Sequence, residues 1–86
     1  MKAIYFFSIV SPACKLTTPI VLRLKKEGVN ITMFDIARYA DKARQNNVKV
    51  VPTLIVKDWA DNEVQRLIKT FTEAELRAAL SSLYKV

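Results

Sequence analysis

Ala3-Ile4-Tyr5-Phe6-Phe7 is an unbroken apolar run, β-branched or aromatic at every position after the first. A strand with one wet face alternates apolar and polar side chains. A run without alternation has two faces to bury and suits a strand covered from both sides. The next segment, Pro12 to Glu27, carries Leu16, Ile20 and Leu24 at helical spacing, with Val21 and Leu22 widening the stripe, and this predicts a largely buried helix. Gly28, the single glycine of the chain, follows as a helix C′ stop. Asn30 to Ile36 then reads as a second strand, and strand, helix and strand together predict a βαβ unit with parallel strands.

Beyond it, Arg38 to Asn47 is polar with Tyr39, Ala40 and Ala43 on one side, a short amphipathic helix. Val48-Lys49-Val50-Val51 leads into Pro52, and Thr53 to Val56 is a third strand. Asp58 to Asn62 has turn chemistry and Glu63 to Lys69 is a fourth strand, so the pair forms a hairpin. Thr72-Glu73-Ala74-Glu75 is a capping box, and the helix it opens places Leu76, Ala79, Leu80 and Leu83 on one face. The order β-α-β-α-β-β-α predicts an α/β fold: one mixed four-stranded sheet with helices on both faces. At 86 residues, without repeat or linker, the chain is expected to be a single domain over 1–86.

Composition removes several classes of function. With 51% hydrophobic and 26% charged residues the chain is globular, and no apolar run approaches the ~20 residues that span a bilayer. Met1 to Ser8 reads as a strand rather than a signal segment, and the protein is expected to be cytoplasmic, with no membrane partner. One cysteine rules out an intramolecular disulfide, and the absence of histidine rules out a Cys/His zinc site or a Cys–His dyad. Neither a metal nor a cofactor is expected. The net charge of +6 suits nucleic acid or acidic proteins. Its tightest group, Arg23-Leu24-Lys25-Lys26, lies at a helix end where cations complement the dipole, and no aromatic interleaves it to stack bases. It is expected to be a solvated face, and nucleic acid is not expected as a partner.

Two prolines carry the chemistry. Ser11-Pro12-Ala13-Cys14 joins the first strand to the first helix. Serine is a favoured N-cap and proline a favoured first helical residue, so the segment is explained as a helix start, with Cys14 an inert, partly buried small hydrophobe. Val51-Pro52-Thr53 heads what should be an internal strand, where proline cannot donate to the ladder. A cis Val51–Pro52 bond in a tight turn would account for it, at ~0.5–1 kcal/mol relative to trans.

Taken together these residues resemble the thioredoxin/glutaredoxin superfamily, in a compact form without the extra N-terminal strand and helix of full thioredoxins. The likeness runs through nearly the whole chain in order. Ser11-Pro12-Ala13-Cys14 stands where the family has its Cys-x-x-Cys motif. Lys15 and Pro19 match the lysine and helix-kinking proline that follow the second motif cysteine. Val51-Pro52-Thr53 resembles the family's cis-Pro-Thr element, and Thr72 to Leu76 the start of its last helix.

The resemblance implies a thiol–disulfide oxidoreductase in which Ser11 holds the position of the attacking cysteine and Cys14 that of the resolving thiol. Pro12, Ala13, Val51, Pro52 and Thr53 would contact substrate, with the Val51 backbone pairing to it like an added strand. A thiol of pKa ~8.5 ionises readily at a helix N-terminus and a serine hydroxyl does not, so the dithiol cycle is closed to the chain as written. The tryptophan before the motif, the buried acidic residue of the first core strand and the glycine after the fourth strand are also missing; the last position reads Lys69-Thr70-Phe71. Loss of that glycine argues against glutathione, which needs a close backbone approach. The implied partners are a disulfide-containing protein and an upstream reductase, the implied state a monomer. The rival expectation is a redox-inactive module that holds an extended peptide.

Overall fold

The computed structural model describes residues 1–81. Among them the strands are Lys2–Phe7 (β1), Ile31–Asp35 (β2), Thr53–Lys57 (β3) and Glu63–Ile68 (β4). The helices are Pro12–Lys26 (α1), Ala40–Gln45 (α2) and Glu73–Ala79 (α3). The sheet order is β2-β1-β3-β4, with β1 and β2 parallel and the β1–β3 and β3–β4 pairs antiparallel. This is the mixed four-stranded α/β architecture that the pattern predicts.

The unbroken run in β1 is explained by two cores, one on each face. Ala3 and Tyr5 face one side, where they pack with Val21 and Leu24 of α1, Leu54 and Val56 of β3, and Leu76 and Leu80. Ile4 and Phe6 face the other, with Ile55 of β3, Ala43 of α2, and the flanking Phe34 and Val51. Tyr5 pairs with Leu54 and Ile4 with Ile55, so the two strands alternate in phase and each face receives matched apolar side chains.

α1 is not buried as widely as its apolar content predicts. Its buried residues are Cys14, Thr17, Val21 and Leu24, spaced by three, four and three, whereas Leu16 and Leu22 are exposed. One stripe of the helix meets the sheet, and Leu16 and Leu22 lie off it. Periodicity misled because Thr17, polar in sequence, belongs to the buried stripe. At the other end Gly28 has φ +100 and donates its N–H to the Lys25 carbonyl, while Val29 donates to Leu24, so the last carbonyls of α1 are satisfied.

α2 is shorter than the sequence pattern, and Tyr39 stands at its N-cap position, exposed, with its ring edge-on to Phe34 at 5.2 Å. α3 opens on the expected box: Glu75 donates its N–H to the Thr72 hydroxyl, and Thr72 donates its own to the Glu75 carboxylate. Leu83, expected on the inner face of this helix, lies outside the described residues. Arg77 of α3 donates to Glu27 and Glu73, and Arg23 of α1 to Glu73, tying the two helices together. No helix among the described residues is long and apolar enough to cross a membrane.

Candidate active site

The register gathers the candidate residues at one end of the sheet. Phe7 ends β1 opposite Asp35 at the end of β2; Phe6 pairs with Thr53 at the start of β3, which pairs with Ile68 at the end of β4. The chain leaves Phe7 through Ser8, Ile9 and Val10 to reach Ser11 and α1, while Val51 and Pro52 immediately precede Thr53. Both proline-bearing segments therefore belong to this end.

Ser11 is the N-cap of α1: its backbone is extended and its hydroxyl accepts the Cys14 N–H at 3.3 Å. Pro12 follows, exposed, with no N–H to leave unpaired. Cys14 is turned inward and is 2% exposed. Its Sγ accepts the Ser8 N–H at 3.4 Å, so the thiol is held between the loop that enters the helix and the sheet. Ser11 and Ala13 are half-buried. A shallow groove of ≈ 270 Å³, lined by Phe7, Ser8, Ile9, Lys15, Thr18 and Pro19, reaches Cys14 from the side. Lys15 is exposed to solvent.

Below the thiol lies a hydroxyl cluster that the sequence reading missed. The Tyr5 phenolic oxygen is 2.8 Å from Thr17 Oγ1 and 2.8 Å from Thr18 Oγ1. Burial raises the Tyr5 pKa above its ordinary 10.0, with the bonds to Thr17 and Thr18 opposing. Thr17 Oγ1 also donates to the Ala13 carbonyl, one residue before the cysteine. The signal was available: Thr17 lies three residues after Cys14, on the same helical face.

The Val51–Pro52 bond is cis. Val51 is half-buried and Pro52 buried. Thr53, expected to contact substrate, is fully buried, and its hydroxyl donates to the Val50 carbonyl at 2.6 Å. Its side chain closes the turn. Around both segments Ile9 and Val10 are 72% and 79% exposed, and Val50 and Ile68 are also exposed. Among the described residues no group of three or more His, Cys, Asp or Glu side chains is placed to hold a metal ion.

Comparison with known proteins gives a structural rather than a sequence match; no family model and no curated protein matches the chain. Thioredoxin 1 from Thermosipho africanus superposes with a TM-score of 0.81 at 25% identity, over 95% of this chain and 92% of its own. Fasciola hepatica thioredoxin does so with a TM-score of 0.80 at 26% identity, over 94% of this chain and 78% of its own. Thioredoxin O2 from Arabidopsis thaliana, at 23% identity, shares the fold with a TM-score of 0.76 over 98% of this chain and 75% of its own. By its element order, sheet topology and structural counterparts, the chain is a member of the thioredoxin-like superfamily.

Proposed function

We propose that this is a thioredoxin-type thiol–disulfide oxidoreductase frame arrested at its first step, which docks an extended segment of a disulfide-containing protein and does not turn it over. The observation that carries the reading is the relation of Ser11 to Cys14. Ser11 occupies the helix N-cap, where unpaired N–H groups and the dipole would stabilise a thiolate. Cys14 sits behind it, closed to bulk solvent, as a resolving thiol would.

With a thiol at position 11 the cycle balances. Its thiolate attacks one substrate sulfur, forming a mixed disulfide and releasing the other sulfur as a thiolate. The Cys14 thiolate then attacks the position-11 sulfur, closing an intramolecular disulfide and releasing the second substrate thiol. Two electrons pass to the substrate, and an external dithiol restores the protein. Serine supplies no thiolate for the first attack.

Insulin reduction driven by dithiothreitol tests this directly. The unaltered chain should match the protein-free rate, and Ser11→Cys should exceed it at least about tenfold. Turnover by the unaltered chain, or none by a folded Ser11→Cys variant, overturns the reading. A second reading, a pure peptide-binding module, draws on the exposed Ile9, Val10, Val50 and Ile68 around a closed thiol. A Ser11→Cys variant that forms its disulfide, binds peptide and still fails to reduce insulin would favour it.

A further inference from the structure

Every carboxylate among the described residues is already engaged within the fold. Glu27, Glu73, Glu63, Asp41 and Asp61 are in ion pairs. Asp35, Asp58 and Glu75 accept backbone N–H groups. These pairs use Lys2, Lys57, Arg23, Arg44, Arg66 and Arg77.

Among the described residues, the lysines and arginines left without an ion pair are unevenly placed. Lys25 and Lys26 end α1 and Lys42 lies on α2, but Lys15, Arg38, Lys49 and Lys69 all belong to the end of the sheet that carries Ser11 and Pro52. Lys15 is in the first turn of α1, and Arg38 donates its N–H to Asp35 at the end of β2. Lys49 stands just ahead of the Val51–Pro52 turn, and Lys69 directly follows β4. All four are exposed, and the exposed aliphatic Ile9, Val10, Val50 and Ile68 belong to the same end. Asp35, the nearby carboxylate, is half-buried and accepts the Ala37 N–H. Four of the seven described lysines and arginines outside ion pairs therefore stand at one end.

We propose that this end docks an acidic protein segment. Aliphatic side chains of the partner cover Ile9, Val10, Val50 and Ile68, and its aspartates or glutamates face Lys15, Arg38, Lys49 and Lys69. The inference rests on the docking reading above and gives the partner its chemistry. An acidic protein fits better than nucleic acid because the ground between the cations is aliphatic. Bases need aromatic faces to stack on; Tyr39 is held edge-on to Phe34, and Trp59 lies in the hairpin at the opposite end of the sheet. Opposite charge across such a rim acts mainly on encounter and selectivity, and salt screens it over a Debye length of ~8 Å at physiological strength.

The test uses three fluorescein-labelled peptides with one Val/Leu centre and glutamate, glutamine or lysine flanks, titrated by anisotropy against the unaltered chain. At about 20 mM salt the glutamate peptide should bind about tenfold tighter than the glutamine peptide, and at about 500 mM the margin should fall below about twofold. Reversing Lys49→Glu and Lys69→Glu together should abolish the margin; Lys25→Glu with Lys26→Glu should leave it. Equal binding of all three peptides, a margin that survives reversal at Lys49 and Lys69, or displacement of the peptide by single-stranded DNA at about 150 mM salt overturns the proposal. The two ideas fail separately. A Ser11→Cys variant that reduces insulin without acidic preference overturns only the partner, and acidic preference without reduction overturns only the reaction.

Discussion

Ser11 Oγ accepts the backbone N–H of Cys14 at 3.3 Å, so the side chain in the attacking position is also the cap of α1. Removing that hydroxyl leaves a helix-end donor unpaired. Ser11→Ala is expected to cost about 1 kcal/mol in urea unfolding, and Ser11→Asn only a few tenths. Equal stability of the alanine and asparagine variants would show that the hydroxyl is not capping.

Tyr5 joins β1 to α1 through Thr17 and Thr18, and Thr17 is buried. Tyr5→Phe should cost roughly 1–2 kcal/mol, because Thr17 loses a buried partner. The raised Tyr5 pKa also has a pH signature. Above the ordinary 10.0 an unfolded chain releases the proton that the folded chain still holds, so this contribution is complete below pH 10.0 and lost as pH rises through the folded value. The phenylalanine variant should lose that part of the alkaline decline. Identical alkaline limbs in the two proteins would refute the assignment.

On the acid side, hydrogen bonds from Arg77 hold Glu27 and Glu73 below the ordinary 4.5, and one from Arg66 does the same for Glu63. Depressed carboxylates stabilise the fold above their unfolded values and lose that contribution as pH falls through the folded ones. Arg77→Met should therefore flatten the dependence of stability on pH below 4.5, which chemical denaturation at a series of acidic pH values would detect. An unchanged slope would mean the α1–α3 ion pairs are fully screened.

Gly28 has φ +100 and nothing within 4 Å of the place a Cβ would occupy. Gly28→Ala should cost about 1 kcal/mol from backbone conformation alone, since no clash contributes. Lys69 takes φ +64 without being glycine. Lys69→Gly should relieve left-handed strain and raise stability by about 0.5 kcal/mol, the gain being reduced by glycine's freedom in the unfolded chain. Thermal melts of the two variants should move in opposite directions.

The central strands were legible because Ala3 to Phe7 and Thr53 to Val56 carry an unbroken apolar pattern that depends only on how many faces are buried. Glu63 to Lys69, none of it buried, was legible through the Asp58 to Asn62 turn that pairs it. The start of α1 at Ser11 and of α3 at Thr72 was legible because caps are local chemistry. What escaped depends on a second segment. Spacing puts Thr17 on the Cys14 face of α1, but only Tyr5, twelve residues upstream, says why a polar side chain lies inside and Leu16 outside. Likewise nothing in Val51-Pro52-Thr53 says that Val50, three residues back, takes the Thr53 hydroxyl. The placement of charge was hidden for the same reason: Lys15, Arg38, Lys49 and Lys69 are far apart in sequence and share one end only because α1 and β3 begin where β2 and β4 finish.

Of the four strands of the sheet β1 is synthesised before the others, and it lies inside the sheet, between β2 and β3. Its second neighbour ends at Lys57, more than half a chain later. During translation Lys2 to Phe7 must stay unpaired on at least one side until Thr53 to Lys57 has left the ribosome. The N-terminal βαβ unit can pair β1 with β2 first, but the sheet closes late, when β3 takes the other edge of β1. Deleting those first residues would not trim an edge. It would take away the seam, leaving β2 on one side and the β3–β4 hairpin on the other with nothing between them.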